Sequence, residues 1–437
     1  MMLGVHRLYA HRLSRPLMEQ KDFYNTARTP QAIRDWQLDQ FNRQWQSIRH
    51  HVPYFHRLQQ RHKLPSQFST WQQFKATMPI MERKTIQHER EALTSITGEP
   101  HDWRTTGGST AEPLKIPVWK SEPRLAGSDL WYGRSWFGVT PADKLFLIWG
   151  QSHLLGRGLQ GWINRTQRHL KDTLLGYYRW PAYNLREQCL REAADAILTF
   201  RPTYLIAYAV ALDRFARVNR HRWKAFHHLG LKVAIASGES FPNSDSKKLI
   251  TEVLGCPVAM EYGAVETGPI AHQRPDGRYT VFWRHYFLEG YVSEHLPSAY
   301  EILVTSLFPR CVPLVRYKLG DLITTNPDED HFRQEFEAVI GRSKDLIILP
   351  HGAVVHSEAF THAVKETSSM TGYQVAQSGD GDVTLSYVAE NPLASGDIVE
   401  IRRRLAHIHT DLAAIRIERV ETLTPTMSGK TRRVIRT

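Results

Sequence analysis

Cysteine is scarce: Cys189, Cys256 and Cys311 are the only three in 437 residues, far apart and in no Cys-x-x-Cys pair. That spacing argues against a disulfide framework and offers no zinc-ligand set, so a reducing, cytoplasmic setting is expected. Long apolar runs are missing too. Pieces such as LFLIW at 145–149 are strand-sized, well short of the roughly 20 residues a spanning helix needs. The N-terminal MMLGVHRLYAHRLSRPL carries Arg7, Arg12 and Arg15 without a continuous apolar core. It reads as a basic amphipathic helix docked on its own domain rather than as a signal peptide or a membrane-surface anchor. There is no HExxH pattern, no internal repeat and no low-complexity tract. Helix-turn-helix, zinc-finger and RNA-binding signatures are also absent, so nucleic acid is not expected as a partner.

What the chain has is ordinary for a water-soluble globular protein: 41% hydrophobic and 23% charged residues. Its length implies at least two domains. The net charge of +12 is scattered rather than blocked, a general bias toward anionic substrates and partners. The 22 histidines are scattered as well and are expected on the surface or in packing.

Residues 31–51 repeat apolar side chains (Ile33, Trp36, Phe41, Trp45, Ile48) at helical spacing, and Pro53 ends the pattern. From Asp143 the chain alternates. KLFLIWG, PTYLIAY, LKVAIASGE and PVAMEYG read as buried strands, with CLREAADAILTF, ALDRFARVNRH and SDSKKLITEVLG as helices between them. This alternation predicts a mostly parallel sheet flanked by helices, with ligands at the carboxyl ends of its strands. After about residue 280 the texture changes to strand-like runs with acidic breaks, and GRSKD at 341–345 is the clearest candidate hinge. The expected organisation is α/β: a large N-terminal domain over 1–340, then a small mobile α+β domain over 341–437.

The stretch TTGGSTAEPLK, from Thr105 to Lys115, sets hydroxyls and two glycines just before an apolar run. Consecutive backbone N–H groups in such a turn can converge on an anion, with hydroxyls as added donors; a plain hairpin turn is the alternative. No Gly-Lys-Ser/Thr follows, which excludes a P-loop. Further along, in fixed order, come ASGESFP (236–242), EYGAVETG (261–268), RYKLGDL (316–322), GRSKDLIILPHGAVV (341–355) and TPTMSGKTRR (424–433).

This series resembles the adenylate-forming superfamily of acyl-CoA synthetases and adenylation domains over essentially the whole chain. Within it the sequence looks most like the phenylacetate–CoA ligase branch, near the adenylate-forming proteins of capsular-polysaccharide and aryl-pigment gene clusters. The resemblance implies ATP-dependent attack of a carboxylate on the α-phosphorus. Acyl-AMP and pyrophosphate result, and a thiol or amine then displaces AMP. Such chemistry sets anion against anion, so it needs positive charge and convergent donors more than a protein nucleophile. By resemblance, Thr105, Thr106, Gly107, Gly108, Ser109 and Thr110 form the phosphate loop, with Thr106 also catalytic. This chain has Ala111 where the family usually has glycine. Lys115 is either a phosphate contact or a solvated strand residue. Gly238 and Glu239 lie along the adenine, Tyr262 stacks on it beside Gly263, and Glu266 holds Mg²⁺. Asp321 accepts from both ribose hydroxyls, as its two carboxylate oxygens allow. Arg342 contacts the nucleotide, Lys344 marks the hinge, and Lys430 bridges the acid carboxylate and the phosphate.

The acid pocket is expected at Trp149, His153, Tyr208, Ala236 and Ser237, where aromatic side chains would suit an aryl acid. CoA, or phosphopantetheine on a separate acyl carrier protein, is the natural thiol acceptor. Amide transfer to an amine or sugar acceptor in surface-polysaccharide biosynthesis is the alternative outcome. A non-catalytic nucleotide-binding relative is the alternative class, motivated by Ala111. Oligomeric state is not legible.

Overall fold

The computed structural model describes residues 2–26, 28–105, 114–149, 158–182, 185–243, 245–293, 299–325, 334–342, 346–349, 354–356, 360, 363–364, 367, 369–424 and 434–436. The chain divides into two compact units, one of Met1–Ser14, Ser135–Glu261 and Gly341–Thr437, the other of Arg15–Arg134 and Tyr262–Ile340.

In the first unit, strands alternate with helices as the periodicity predicts. Tyr177–Pro181, Leu145–Trp149, Tyr204–Tyr208, Val233–Ser237 and the start of Val258–Ala264 lie side by side in that order. All four pairings are parallel. A parallel strand is covered on both faces, and Leu205, Ala207, Ala234 and Ala236 are accordingly fully buried. The helices Glu187–Phe200, Ala209–Val218 and Ser246–Leu254 carry the apolar stripes that meet them. The strand Tyr177–Pro181 and the helix Gly158–Leu174 before it are not among the elements expected from the sequence. YYRWP contains an arginine and a proline and lacks an apolar run, which fits its place at the end of the strand order.

The residues from Gly341 onward include an α+β core of their own. Strands Arg416–Arg419, Val383–Ala389, Met370–Gln377 and Val434–Arg436 form one sheet, and Ile401 and Leu405 of the helix Ser395–Ile408 lie in its core cluster.

The second unit packs its helices on antiparallel strands. Thr29 caps the helix Pro30–His51 by accepting from the Ala32 N–H at 3.2 Å, with proline in the first turn where its missing donor costs nothing. Phe41 and Trp45 on that helix are fully buried. Pro53 does end the pattern, and it also opens the next helix, Pro53–His62. Strands Tyr286–Val292, Tyr300–Ser306, Tyr317–Ile323 and Val339–Arg342 form one sheet. The run VPLVRYKLGDLITT becomes strand only from Tyr317, because Arg316 takes a left-handed φ of 47°. The basic N-terminal stretch is helical over Met2–Asn25. Leu17 and Gln20 are buried, and Gln20 donates to the Asp129 carboxylate at 2.6 Å, so this end of the helix is docked. Among the described residues no helix is long and apolar enough to cross a membrane. His285 is a packing histidine, paired with the fully buried Asp129 at 2.5 Å.

Burial pushes the Cys256 and Cys311 thiols up to about 12, the latter with help from Glu122. Only thiolate reacts, and Cys189 alone is partly exposed. Titration of the native chain with Ellman's reagent at pH 8 should therefore modify one thiol quickly, and all three after denaturation.

Candidate functional site

Two groups of predicted residues can be placed, one in each unit. In the first unit, Trp149, Tyr208 and Ser237 end neighbouring parallel strands, the carboxyl edge where ligands are expected. Tyr208 is in register with Ser237, and Ser237 with Glu261. The Trp149 and Tyr208 rings lie 4.2 Å apart, Tyr208 buried in the core and Trp149 half-buried against it. Ala236 is buried in the same cluster. The strand ends in a turn at Gly238, whose φ of 85° favours glycine. Glu239 sends Oε1 to the Val210 N–H at 3.1 Å, satisfying an otherwise unpaired donor in the first turn of the Ala209–Val218 helix. The carboxylate thus fixes the turn from below.

In the second unit the residues from Tyr262 to Gly268 form a tight reversal. A Cβ on Gly263 would lie 2.3 Å from the Gly268 carbonyl oxygen, so the two limbs approach as closely as glycine permits. Thr267 Oγ1 ties the loop by accepting from the Ala264 N–H at 3.1 Å. Glu266 sits at the tip and is 7% exposed. Its Oε1 takes Arg83 Nη1 at 2.9 Å and Tyr317 Oη at 3.4 Å. Tyr262 Oη donates to Asp321 Oδ2 at 2.8 Å, bringing together two predicted nucleotide residues 59 positions apart. Tyr279 stacks on Phe336, and both rings meet Tyr262 edge-on.

Beneath this tip lies a buried ion pair that the sequence reading missed. Arg310 Nη2 donates to the Glu266 carbonyl at 2.5 Å and Nη1 to the Thr267 carbonyl at 3.3 Å. Its Nε faces Glu122 Oε2 at 3.3 Å, with side chains 1% and 3% exposed. Glu122 Oε1 in turn accepts from the Trp119 and Cys311 N–H groups at 2.9 and 3.0 Å. Tyr286 Oη makes a further bond to the Thr267 carbonyl, 2.7 Å. Arg104 precedes the Gly-rich stretch; burial lowers its pKa and Arg310 lowers it further. The available signal was an arginine inside the apolar run LFPRCVPLV, since such residues are seldom buried unless paired.

Thr105 ends the exposed strand Asp102–Thr105 and is in register with Lys115, so both ends of the Gly-rich stretch sit on one hairpin. Lys115 is exposed. Thr106, Gly107, Gly108, Ser109, Thr110 and Ala111 lie outside the described residues, as do His153, Lys344 and Lys430. Arg342 ends the Val339–Arg342 strand. The limbs flanking Lys430 are held at adjacent positions of one strand. Thr424 exchanges two hydrogen bonds with Gln374, at 3.1 and 3.2 Å, and Val434 pairs with Val375.

A magnesium site would draw on Glu266. No group of three or more His, Cys, Asp or Glu that could hold a metal occurs among the described residues. What the described residues offer such an ion is the one largely buried carboxylate of Glu266, and Mg²⁺ is an ion that would complete its shell from phosphate oxygens and water.

No family model matches the sequence. Protein CapK of Staphylococcus aureus is 20% identical over 307 residues, 68% of this chain, and the chain spans 65% of that relative's length. Among solved structures, 2-hydroxyisobutyryl-CoA ligase in the postadenylation state with R3-HIB-AMP matches with a TM-score of 0.69 at 16% identity, covering 92% of this chain and 89% of that one. ATP-bound MatB from Rhodopseudomonas palustris gives 0.53 at 16% identity, covering 77% and 68%. The amide bond synthetase McbA from Marinactinospora thermotolerans gives 0.51 at 16% identity, covering 83% and 80%. The chain has the fold of the adenylate-forming ligases.

Proposed function

We propose that this protein, built on the adenylate-forming fold, activates a carboxylic acid with ATP as acyl-AMP, releases pyrophosphate, and passes the acyl group to a thiol. The observation that carries the reading is that Tyr262 is bonded to Asp321, with Glu266 in the reversal that follows Tyr262 in the same unit. Tyr262 Oη donates to Asp321 Oδ2, which orients the carboxylate proposed to meet the ribose. The same bond fixes the Tyr262 ring for stacking against adenine. Glu266 would hold Mg²⁺, which supplies positive charge at the phosphates when bound. Lys430 offsets the repulsion between the attacking carboxylate and the phosphate chain, and Lys344 lets the residues after 340 move as a lid between the half-reactions.

The half-buried Trp149 ring at the strand end supports an aryl acid, since flat apolar faces stack. CoA or a carrier-protein phosphopantetheine is the acceptor, and the basic surface suits either anion. Transfer to an amine is the second reading, favoured by the likeness to McbA.

Acid-dependent pyrophosphate release with Mg-ATP and a panel of aryl, fatty and amino acids tests this. Release with an aryl acid, and AMP release stimulated by CoA or holo-carrier protein, is the expected result. AMP release stimulated only by amines would replace the thiol step. ATP binding without turnover of any acid would favour a nucleotide-binding relative that activates nothing.

Asp321→Asn weakens the ribose interaction. A charge-assisted hydrogen bond contributes about 1.5–3 kcal/mol, so ATP affinity by calorimetry should fall roughly 10- to 100-fold.

A further inference from the structure

Arg83 carries a role that the motif order does not assign. Its backbone is placed by a bridge to the Tyr317 strand: the Met81 N–H donates to the Arg316 carbonyl at 3.0 Å, and the Lys318 N–H to the Met81 carbonyl at 2.9 Å. Arg316 secures the same segment with bonds to the Lys75 and Met78 carbonyls at 2.7 and 2.6 Å, itself paired with Glu289 at 3.0 Å. Two residues beyond the bridge, the guanidinium meets Glu266 with side-chain exposures of 23% and 9%. Both of its side-chain donors, Arg83 and Tyr317, fall on Oε1, and no bond to Oε2 occurs among the described residues.

We infer that Arg83 is a positioning residue for a cation: it pins Glu266 by Oε1 and offsets the carboxylate charge, so that a metal bound at Glu266 would be held more weakly than by an unpaired carboxylate. The inference rests on the proposed role of Glu266. A guanidinium 2.9 Å from a largely buried carboxylate opposes a second cation there by Coulomb repulsion, and water screens it little at that burial. Removing the charge while keeping a donor tightens the metal; keeping the charge on a lysine preserves the wild-type balance.

The test uses the full chain and binding alone. The affinity for α,β-methylene-ATP is measured by calorimetry with Mn²⁺ and again with EDTA, and the ratio reports how strongly metal and nucleotide support each other. Arg83→Gln should raise that ratio about five- to tenfold, on the scale of one partly screened charge. Arg83→Lys should stay within about twofold of wild type, and Glu266→Gln should bring the ratio toward one. A ratio unchanged in Arg83→Gln, with Glu266→Gln still collapsing it, overturns the role of Arg83 and leaves the proposed function standing. A ratio unchanged in Glu266→Gln overturns the metal role of Glu266 itself, and this inference with it. Thermal melts of each variant separate these outcomes from misfolding.

Discussion

Lys430→Ala should lower acid-dependent pyrophosphate release by about 10²- to 10³-fold, the size expected when one preorganised charge is withdrawn from a site where negative charge gathers. In the proposed first step a carboxylate meets a chain of phosphates. The lysine's ammonium is the only cation that the motif order assigns to both partners. The second half-reaction makes no such demand. The variant, supplied with a synthetic acyl-adenylate, should consume it with thiol at close to the wild-type rate. Stability should hardly change, because the limbs on either side are secured independently, by Gln374 on one side and Val375 on the other. Equal loss of both half-reactions would show that Lys430 serves the structure and not the adenylation step.

Glu122→Ala should destabilise the protein by about 3–5 kcal/mol, because it leaves the Arg310 charge buried without its partner. The change also strips the Trp119 and Cys311 N–H groups of their shared acceptor, so the loss extends beyond the ion pair. Urea unfolding followed by tryptophan fluorescence reads it as a lower midpoint. The double variant Glu122→Ala with Arg310→Met removes the stranded charge and should recover part of the midpoint, as buried pairs exchanged for apolar groups usually do. It should not recover activity. Arg310 is also what ties the Glu266 and Thr267 carbonyls, so stability and turnover part company in that one protein. Recovery of both would mean that the clamp under Glu266 has no part in catalysis.

Much of the fold was legible in the sequence, and the reasons are local. The strands and helices between residues 145 and 264 follow from apolar period and glycine punctuation, which depend on neighbours a few positions away. The strand Tyr177–Pro181 escaped for the same reason: its residues carry no apolar run. The site was half legible. Tyr262, Glu266 and Asp321 stood out through the resemblance, and tertiary structure adds that Tyr262 and Asp321 are bonded to each other. Arg83 and Glu122 carry no local mark of function, and the arginine inside LFPRCVPLV marks a buried charge without naming its partner.

What the sequence by itself determined was the alternation of elements, the glycines that end their strands, and the order of the motifs. These are matters of backbone torsion and periodicity, set residue by residue. Only the tertiary structure decided that Arg83 meets Glu266 across 183 residues and that Glu122 supports Cys311 across 189. Such pairings arise because a buried charge must find an opposite charge or a donor wherever the packing brings one. That requirement is satisfied through space, and nothing in the spacing along the chain records it.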